Sequence, residues 1–379
     1  ETMKFKLLTF LLLIAFTFQA TDLYVRYWGK SNNFNTVTEA VNAAAKIKPA
    51  SESQRVTIHI APGTYREQIL VNTPYVTFIN DEPSKGDVWI TWYYGIGYKY
   101  YSVGDDGRYN ANYAKSKSRK AEPIQRWGGT VQINYSASYF KAINIVFENS
   151  FNRYVTNEEI ADGVTPSGTQ SITFKRTTGA DVKSKAATER GAALTVDGDK
   201  AEFISCKFFS SQDTLYTGGS TGYFKNCKIE GNTDYIFGSG DYVFDSCELS
   251  FYGYSSGSVG GYITAARDQT RGYLFYNCKI TANSQLTVTA GYLGRPWSAK
   301  AIVFFYNTVI KNNNLIKPEG WTSMSGVQPK QAQFKEYNTK LSNGSAVDLS
   351  KRQGYVISAN DAKSVTVKGY LSGWTPWSL

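Results

Sequence analysis

Short apolar and aromatic runs recur through the middle of the chain, each closed by Gly, Asn, Ser or Asp. Within them Phe-x-x-Cys occurs at Phe203/Cys206, Phe224/Cys227, Phe244/Cys247 and Phe275/Cys278, so successive cysteines lie 21, 20 and 31 residues apart. Weaker copies flank the four: "YFKAINIVFENS", with Phe140 and Ile143, and "IVFFYNTVIKNN", with Phe304 and Asn307. A short strand buries its inward face by stacking on a similar strand, so recurrence near 20 residues predicts an all-β fold, a parallel β-helix. The 31-residue interval then holds a coil with a loop of about ten extra residues, where solenoids carry binding walls.

Upstream the period changes. In "FNTVTEAVNAAAKIKP", Val37, Ala40, Val41 and Ala44 share one helical face, Thr36 and Glu39 form a capping box, and Pro49 ends the run. One amphipathic helix is therefore expected to close the N-terminal end of the solenoid. The stretches from Tyr93 to Glu122 and from Thr156 to Glu189 show no clear period and read as long loops between coils. A chain of 379 residues is too long for one two-layer core unless that core grows along an axis, which a solenoid does.

At the N-terminus, Met3, Lys4 and Lys6 precede an apolar run from Leu7 to Phe18 and a small residue, Ala20. This reads as a secretory signal, because the run is short of the roughly 20 residues that span a bilayer. Glu1 and Thr2 precede the initiator and are expected to be foreign to the natural chain. Residues 1–20 are thus set apart, and 21–379 are expected to form a single catalytic β-helix domain, extracellular, monomeric and off the membrane once the signal is removed. Four cysteines and two glycosylation sequons, at Asn134 and Asn343, fit an oxidising compartment.

The balance of 41 basic against 31 acidic residues gives a net charge of +10, which favours a polyanionic partner. For a secreted protein that partner is an acidic polysaccharide before it is a nucleic acid. No Gly-rich phosphate loop, paired-His or CxxC spacing is present, so neither a cofactor nor a metal is expected.

Asp213 and Asp234 stand seven residues after Cys206 and Cys227. Stacked coils, spaced by about 4.8 Å, would set the two carboxylates one above the other. Two carboxylates that close cannot both ionise readily, which yields an acid beside a base or nucleophile. The simpler alternative is that each Asp only satisfies a turn. A Ser-His-Asp apparatus would have to rest on His59, the one histidine, which sits in the strand-like "VTIHIAPGTY". The 28 Tyr and 8 Trp offer faces for sugar rings, although most such residues serve packing.

The blocks "GTYREQI", "SSQDTLY", "TDYIFGS", "YITAARD", "LGRPW" and "GWTSMSG", in that order, resemble the pectin methylesterase family, with "FNTVTEAVNAAA" and "GWTPW" similar to its two ends. The resemblance covers residues 22–379. It implies a right-handed parallel β-helix whose long loops form a substrate groove, and hydrolysis of the methyl esters of homogalacturonan through two aspartates, without cofactor or metal. On the matching positions, Asp234 becomes the nucleophile, Asp213 the acid and later the base, and Gln212 an oxyanion donor. Arg295 is expected to hold Asp234 ionised, while Trp297, Tyr216, Phe237 and Met324 are expected to line the groove.

One departure stands out: "RGAAL" replaces the family's "QAVAL", so Arg190 occupies the place of a second oxyanion Gln. Arg190 either turns toward a carboxylate or the free acids of the substrate, or faces the oxyanion itself. Cysteine pairing stays open, since plant-like members suggest Cys247 with Cys278, bacterial-like members suggest Cys227 with Cys247, and a stack of free thiols is a third arrangement. The competing functions are a pectin-binding relative with impaired catalysis and another pectin-degrading β-helix, a lyase or polygalacturonase.

Overall fold

The computed structural model describes residues 19–115, 119–151, 153–162, 165–166, 190–252, 260–283 and 290–379. The signal reading of residues 1–18, most of the loop expected over 156–189, and most of the extra loop in the 31-residue interval lie outside the described residues.

Three parallel sheets of 12, 7 and 9 strands run along the molecule, and consecutive strands of the chain pass from one sheet to the next. That is a right-handed parallel β-helix, with each circuit contributing one strand to each face. The first sheet carries the column Ala142, Phe203, Phe224, Phe244, Phe275, Phe305 in register. The five Phe rings stack face to face with centroids 4.4–4.9 Å apart, as offset aromatic stacking favours. Three residues on, the thiols of Cys206, Cys227, Cys247 and Cys278 are buried and free. Each donates to the carbonyl oxygen of the column residue one coil earlier, Ala142, Phe203, Phe224 and Phe244, at 3.1–3.5 Å. The third arrangement is therefore the one present, and burial pushes the Cys227 and Cys278 thiols up.

The flanking copies sit in a different register from the one expected. Ala142 and Ile145, not Phe140 and Ile143, occupy the Phe and Cys positions on one side. Phe305 and Thr308, not Phe304 and Asn307, occupy them on the other. The residue before each Cys position fixes the frame: Asn144, Ser205, Asn226, Ser246, Asn277, Asn307 and Asn338 all take a left-handed turn, with φ between 52° and 58°. Small polar side chains tolerate that conformation best.

The N-terminal helix spans Val37–Ile47, with the Thr36/Glu39 capping box formed and Val37, Ala40, Val41 and Ala44 buried against the first coils. The stretch from Tyr93 to Glu122 is not wholly irregular. Its strands Tyr98–Tyr100 and Glu122–Pro123 join Thr165–Pro166 in a small antiparallel sheet, above a buried cluster that includes Trp92, Tyr93, Tyr94 and Phe151.

Candidate active site

The seven-stranded sheet presents the outward column Gln132, Thr195, Tyr216, Phe237, Ala265, Arg295. Asp213 and Asp234 each stand three residues before a member of it, and the Asp213 N–H donates to the Thr233 carbonyl of the next coil at 3.1 Å. The sequence register is thus a spatial one. Both aspartates are left-handed, at φ 62° and 51°, and only 6% exposed. Asp is among the few residues that enter this region readily, and strain of this kind persists only where the surroundings determine it.

Arg295 reaches Asp234 from two coils further on. Its Nε and Nη2 donate to Oδ1 and Oδ2 at 2.8 and 2.6 Å, a bidentate pair. Ala265, between them in the column, is too short to block the path. The guanidinium also lies 4.0 Å from the centre of the Tyr262 ring. Gly294 explains the first half of the "GRPW" motif: a Cβ there would meet Thr264 Oγ1 at 1.9 Å.

Burial and the neighbouring Asp234 charge push Asp213 up from 3.8 to about 8, with Arg190, Arg295 and Gln212 working against the rise. Asp234 also lies above its ordinary value, because burial outweighs the Arg295 guanidinium. Arg295 favours the ionised form of Asp234, as expected, but it acts against burial. The guanidinium offsets a desolvation cost that the sequence does not reveal. Asp213 remains the natural holder of a proton, since no guanidinium clamps it.

A cleft of about 270 Å³ opens over the pair, lined by Trp127, Arg190, Gln212, Asp213, Asp234, Phe237, Ala265, Arg295, Trp297 and Met324. Eight of the nine expected site residues therefore meet in one place. Tyr216 lies beside it, in the adjoining cleft with Arg126, and Trp127 joins the two. Trp127 packs against Tyr216, Phe237 and Trp297 at 5.3, 5.2 and 6.2 Å. Its signal in the sequence was slight, a lone Trp before two glycines. Arg190 faces the same cleft, held by a backbone bridge to Gln212 on one side and Ile96 on the other. Among the described residues, Gln212 Oε1 is buried without a hydrogen-bond partner, an unmet acceptor of the sort that binding sites keep.

His59 takes no part. It lies between Asp81 and Asp22, at 2.5 and 3.2 Å, on the N-terminal coils. Among the described residues, no group of three or more His, Cys, Asp or Glu is arranged to hold a metal ion.

Fold and cleft together define a class, the parallel β-helix proteins with a buried acidic pair beneath an aromatic-walled groove. The Pectinesterase family model matches residues 155–374. Probable pectinesterase A of Neosartorya fischeri is 31% identical over 361 residues, covering 92% of this chain and 87% of that protein. Pectinesterase QRT1 of Arabidopsis thaliana is 28% identical over 314 residues, covering 82% and 68%. Among solved structures, the deglycosylated pectin methylesterase from Aspergillus niger has a TM-score of 0.61 at 26% identity, with 93% of each chain covered. The fold is shared as well by pectin methylesterase PemA from Erwinia chrysanthemi, with a TM-score of 0.67 at 23% identity, covering 96% of this chain and 99% of that one.

The chain belongs to the pectinesterase family. It is a carboxylic ester hydrolase that demethylates pectin, and neither the binding-only reading nor the lyase or polygalacturonase reading receives support.

Proposed function

We propose that the chain frees methanol from methyl-esterified homogalacturonan through an acyl-enzyme on Asp234. The observation that carries this mechanism is the unequal pair: Asp234 is clamped bidentately by Arg295, and Asp213 beside it is raised to about 8. In the first step an Asp234 oxygen attacks the ester carbonyl, and Asp213 gives its proton to the departing methoxy oxygen. Gln212 is the side-chain donor to the oxyanion. In the second step Asp213, now a carboxylate, takes a proton from water, which attacks the anhydride and returns Asp234 as a carboxylate. Trp127, Phe237, Trp297 and Met324 form the apolar walls that keep bulk water from the pair.

Arg190 contributes positive charge at the mouth of the same cleft, which suits a substrate that becomes more anionic with every turnover. Residues 21–379 are taken as one catalytic domain that acts as a secreted monomer. The signal-like residues 1–20 support secretion, and no described helix is long and apolar enough to cross a membrane.

The test is methanol release from methylated homogalacturonan without added metal. Cleavage of the polymer with no methanol would sink the mechanism.

A further inference from the structure

A second cleft, about 470 Å³, lies on the first sheet beside the C-terminal tail, away from the catalytic groove. One wall is a column at a single turn position of four successive coils: Arg55, Tyr75, Tyr139, Lys200. The Arg55 guanidinium lies 5.8 Å from the Tyr75 ring centre. Tyr75 stacks on Tyr139 at 4.9 Å, and the Lys200 ammonium lies 5.1 Å from the Tyr139 ring centre. Tyr75, Tyr139 and Lys200 hold φ of 54°, 59° and 57°. At the left-handed turn between the 12- and 9-stranded sheets seven successive coils, from Asn144 to Asn338, use Asn or Ser, which adopt it cheaply. Large residues in this conformation are costly, and an outlier of that kind points toward function.

The opposite wall is the tail, with Trp374, Thr375 and Trp377. Trp377 is 71% exposed, and the Lys141 ammonium lies 5.7 Å from its ring centre. The two acids in the cleft are already engaged. Glu202 accepts from the N–H groups of Trp377 and Ser378 at 3.1 and 2.8 Å and from the Ser378 hydroxyl at 2.6 Å. Glu52 accepts from Arg55 and Lys141 at 2.8 and 2.9 Å. Among the described residues, Lys200 has the Tyr139 hydroxyl at 3.1 Å and the Asp199 carboxylate at 3.9 Å as its polar partners. It therefore keeps charge to offer in the cleft that the exposed Trp377 also lines.

A cation next to an exposed ring is the recognition chemistry of an acidic sugar, in which a carboxylate and a pyranose face are presented together. We propose that this cleft is a second saccharide site, for unesterified uronate segments of the polymer. It rests on the reading that the chain acts on homogalacturonan, and extends it. Free carboxylates are what the catalytic cleft produces, so the second site holds the enzyme on stretches it has already demethylated. A long chain engages both clefts and gains from effective concentration, whereas a short oligomer engages one.

The test compares the wild type with Lys200→Ala/Trp377→Ala, neither residue being part of the catalytic cleft. Lys330→Ala, which removes one exposed charge elsewhere, sets the baseline. Retardation in native gels cast with polygalacturonate at low salt should weaken by about tenfold or more in the double variant, and not in the baseline variant. KM for long, partly demethylated pectin should rise by a similar factor, with kcat and the kinetics on a short methylated oligomer unchanged. Lys200→Gln alone, which keeps the bulk of the side chain, should show part of the loss.

Unchanged retardation in the double variant would overturn the proposal, as would an equal KM rise on short and long substrates. Equal retardation of the wild type by polygalacturonate and by DNA would reduce the cleft to a general polyanion surface and overturn it too. The gel requires no turnover. A protein that binds polygalacturonate through Lys200 and Trp377 yet frees no methanol would sink the esterase mechanism and leave this site standing.

Discussion

The Phe column inside the solenoid and the Asp column on the outside of its seven-stranded sheet are built by the same coils in the same register, yet they repeat differently. The interior column keeps Phe through five coils, from Phe203 to Phe305. The outer column runs Ala192, Asp213, Asp234, Tyr262, so the carboxylate appears twice and stops. Each interior ring meets the same surroundings as its neighbour, and burying it stabilises the fold by about 1.5–3 kcal/mol. Repetition there adds stability with every coil. On the outside the sign reverses, because each further buried carboxylate brings desolvation and repulsion. Two suffice for an acid and a nucleophile. A column that repeats throughout reports packing, and one that repeats just enough for chemistry reports a site.

The largest effect should come from breaking the outer column. Asp234→Asn keeps the shape and tolerates the left-handed turn, so the fold should survive while turnover falls by at least about a thousandfold. Methanol release and a thermal melt on the same sample check both halves. More than a tenth of the activity remaining would show that the nucleophile is elsewhere. Breaking the interior column should do the reverse. Phe244 is fully buried between Phe224 and Phe275, at 4.9 and 4.7 Å, and Phe244→Ala should cost about 3–5 kcal/mol of stability. Denaturant titration measures that loss, and kcat of the folded fraction should be unaltered. A large drop in kcat with normal stability would erase the division between the columns.

The same contrast governs what the sequence made legible. Repetition with constant chemistry exposed the four Phe-x-x-Cys coils, their stacking, and the pairing of Asp213 with Asp234. The frame slipped where the chemistry changed, since Ala142, Ile145 and Thr308 fill interior positions without looking like Phe or Cys. Arg295 stands 61 residues from Asp234, and only the "LGRPW" block connected the two. Trp127 belongs to no repeat, and its place in the cleft depends on how a loop folds over the sheet. The upward shift of Asp234 was hidden as well, because residue spacing reports which charges are near and not how much water is removed.

A subtler change to the outer column separates its charge from its shape. In the folded protein Asp213 holds its proton up to about pH 8, whereas an unfolded Asp loses it near its ordinary value. The folded state therefore binds more protons through that window, and stability falls as pH rises across it. Asp213→Asn removes the Asp213 share of that dependence. At alkaline pH the variant should melt several degrees above the wild type, and the gap should close in acid, even though the variant is inactive. A melting temperature that tracks the wild type at every pH would mean that Asp213 is not the strained member of the pair.

The smallest effect is expected at Arg190, and its sign is the informative part. The guanidinium lines the cleft with Gln212 and Asp213 and opposes the rise of Asp213. Loss of a true oxyanion donor costs about 10²–10³ in rate. Arg190→Gln, however, restores a neutral donor while removing one positive charge. Turnover on fully methylated substrate should thus stay within about tenfold. Without that charge, the protonated form of Asp213 gains, so the alkaline limb of kcat/KM should move to higher pH. Binding to sparsely methylated, more anionic pectin should weaken at low salt and converge with the wild type at high salt. A collapse of kcat on fully methylated substrate, with unchanged stability, would instead make Arg190 the oxyanion donor. The site would then owe its activity to four charged residues rather than to the carboxylate pair and its single arginine clamp.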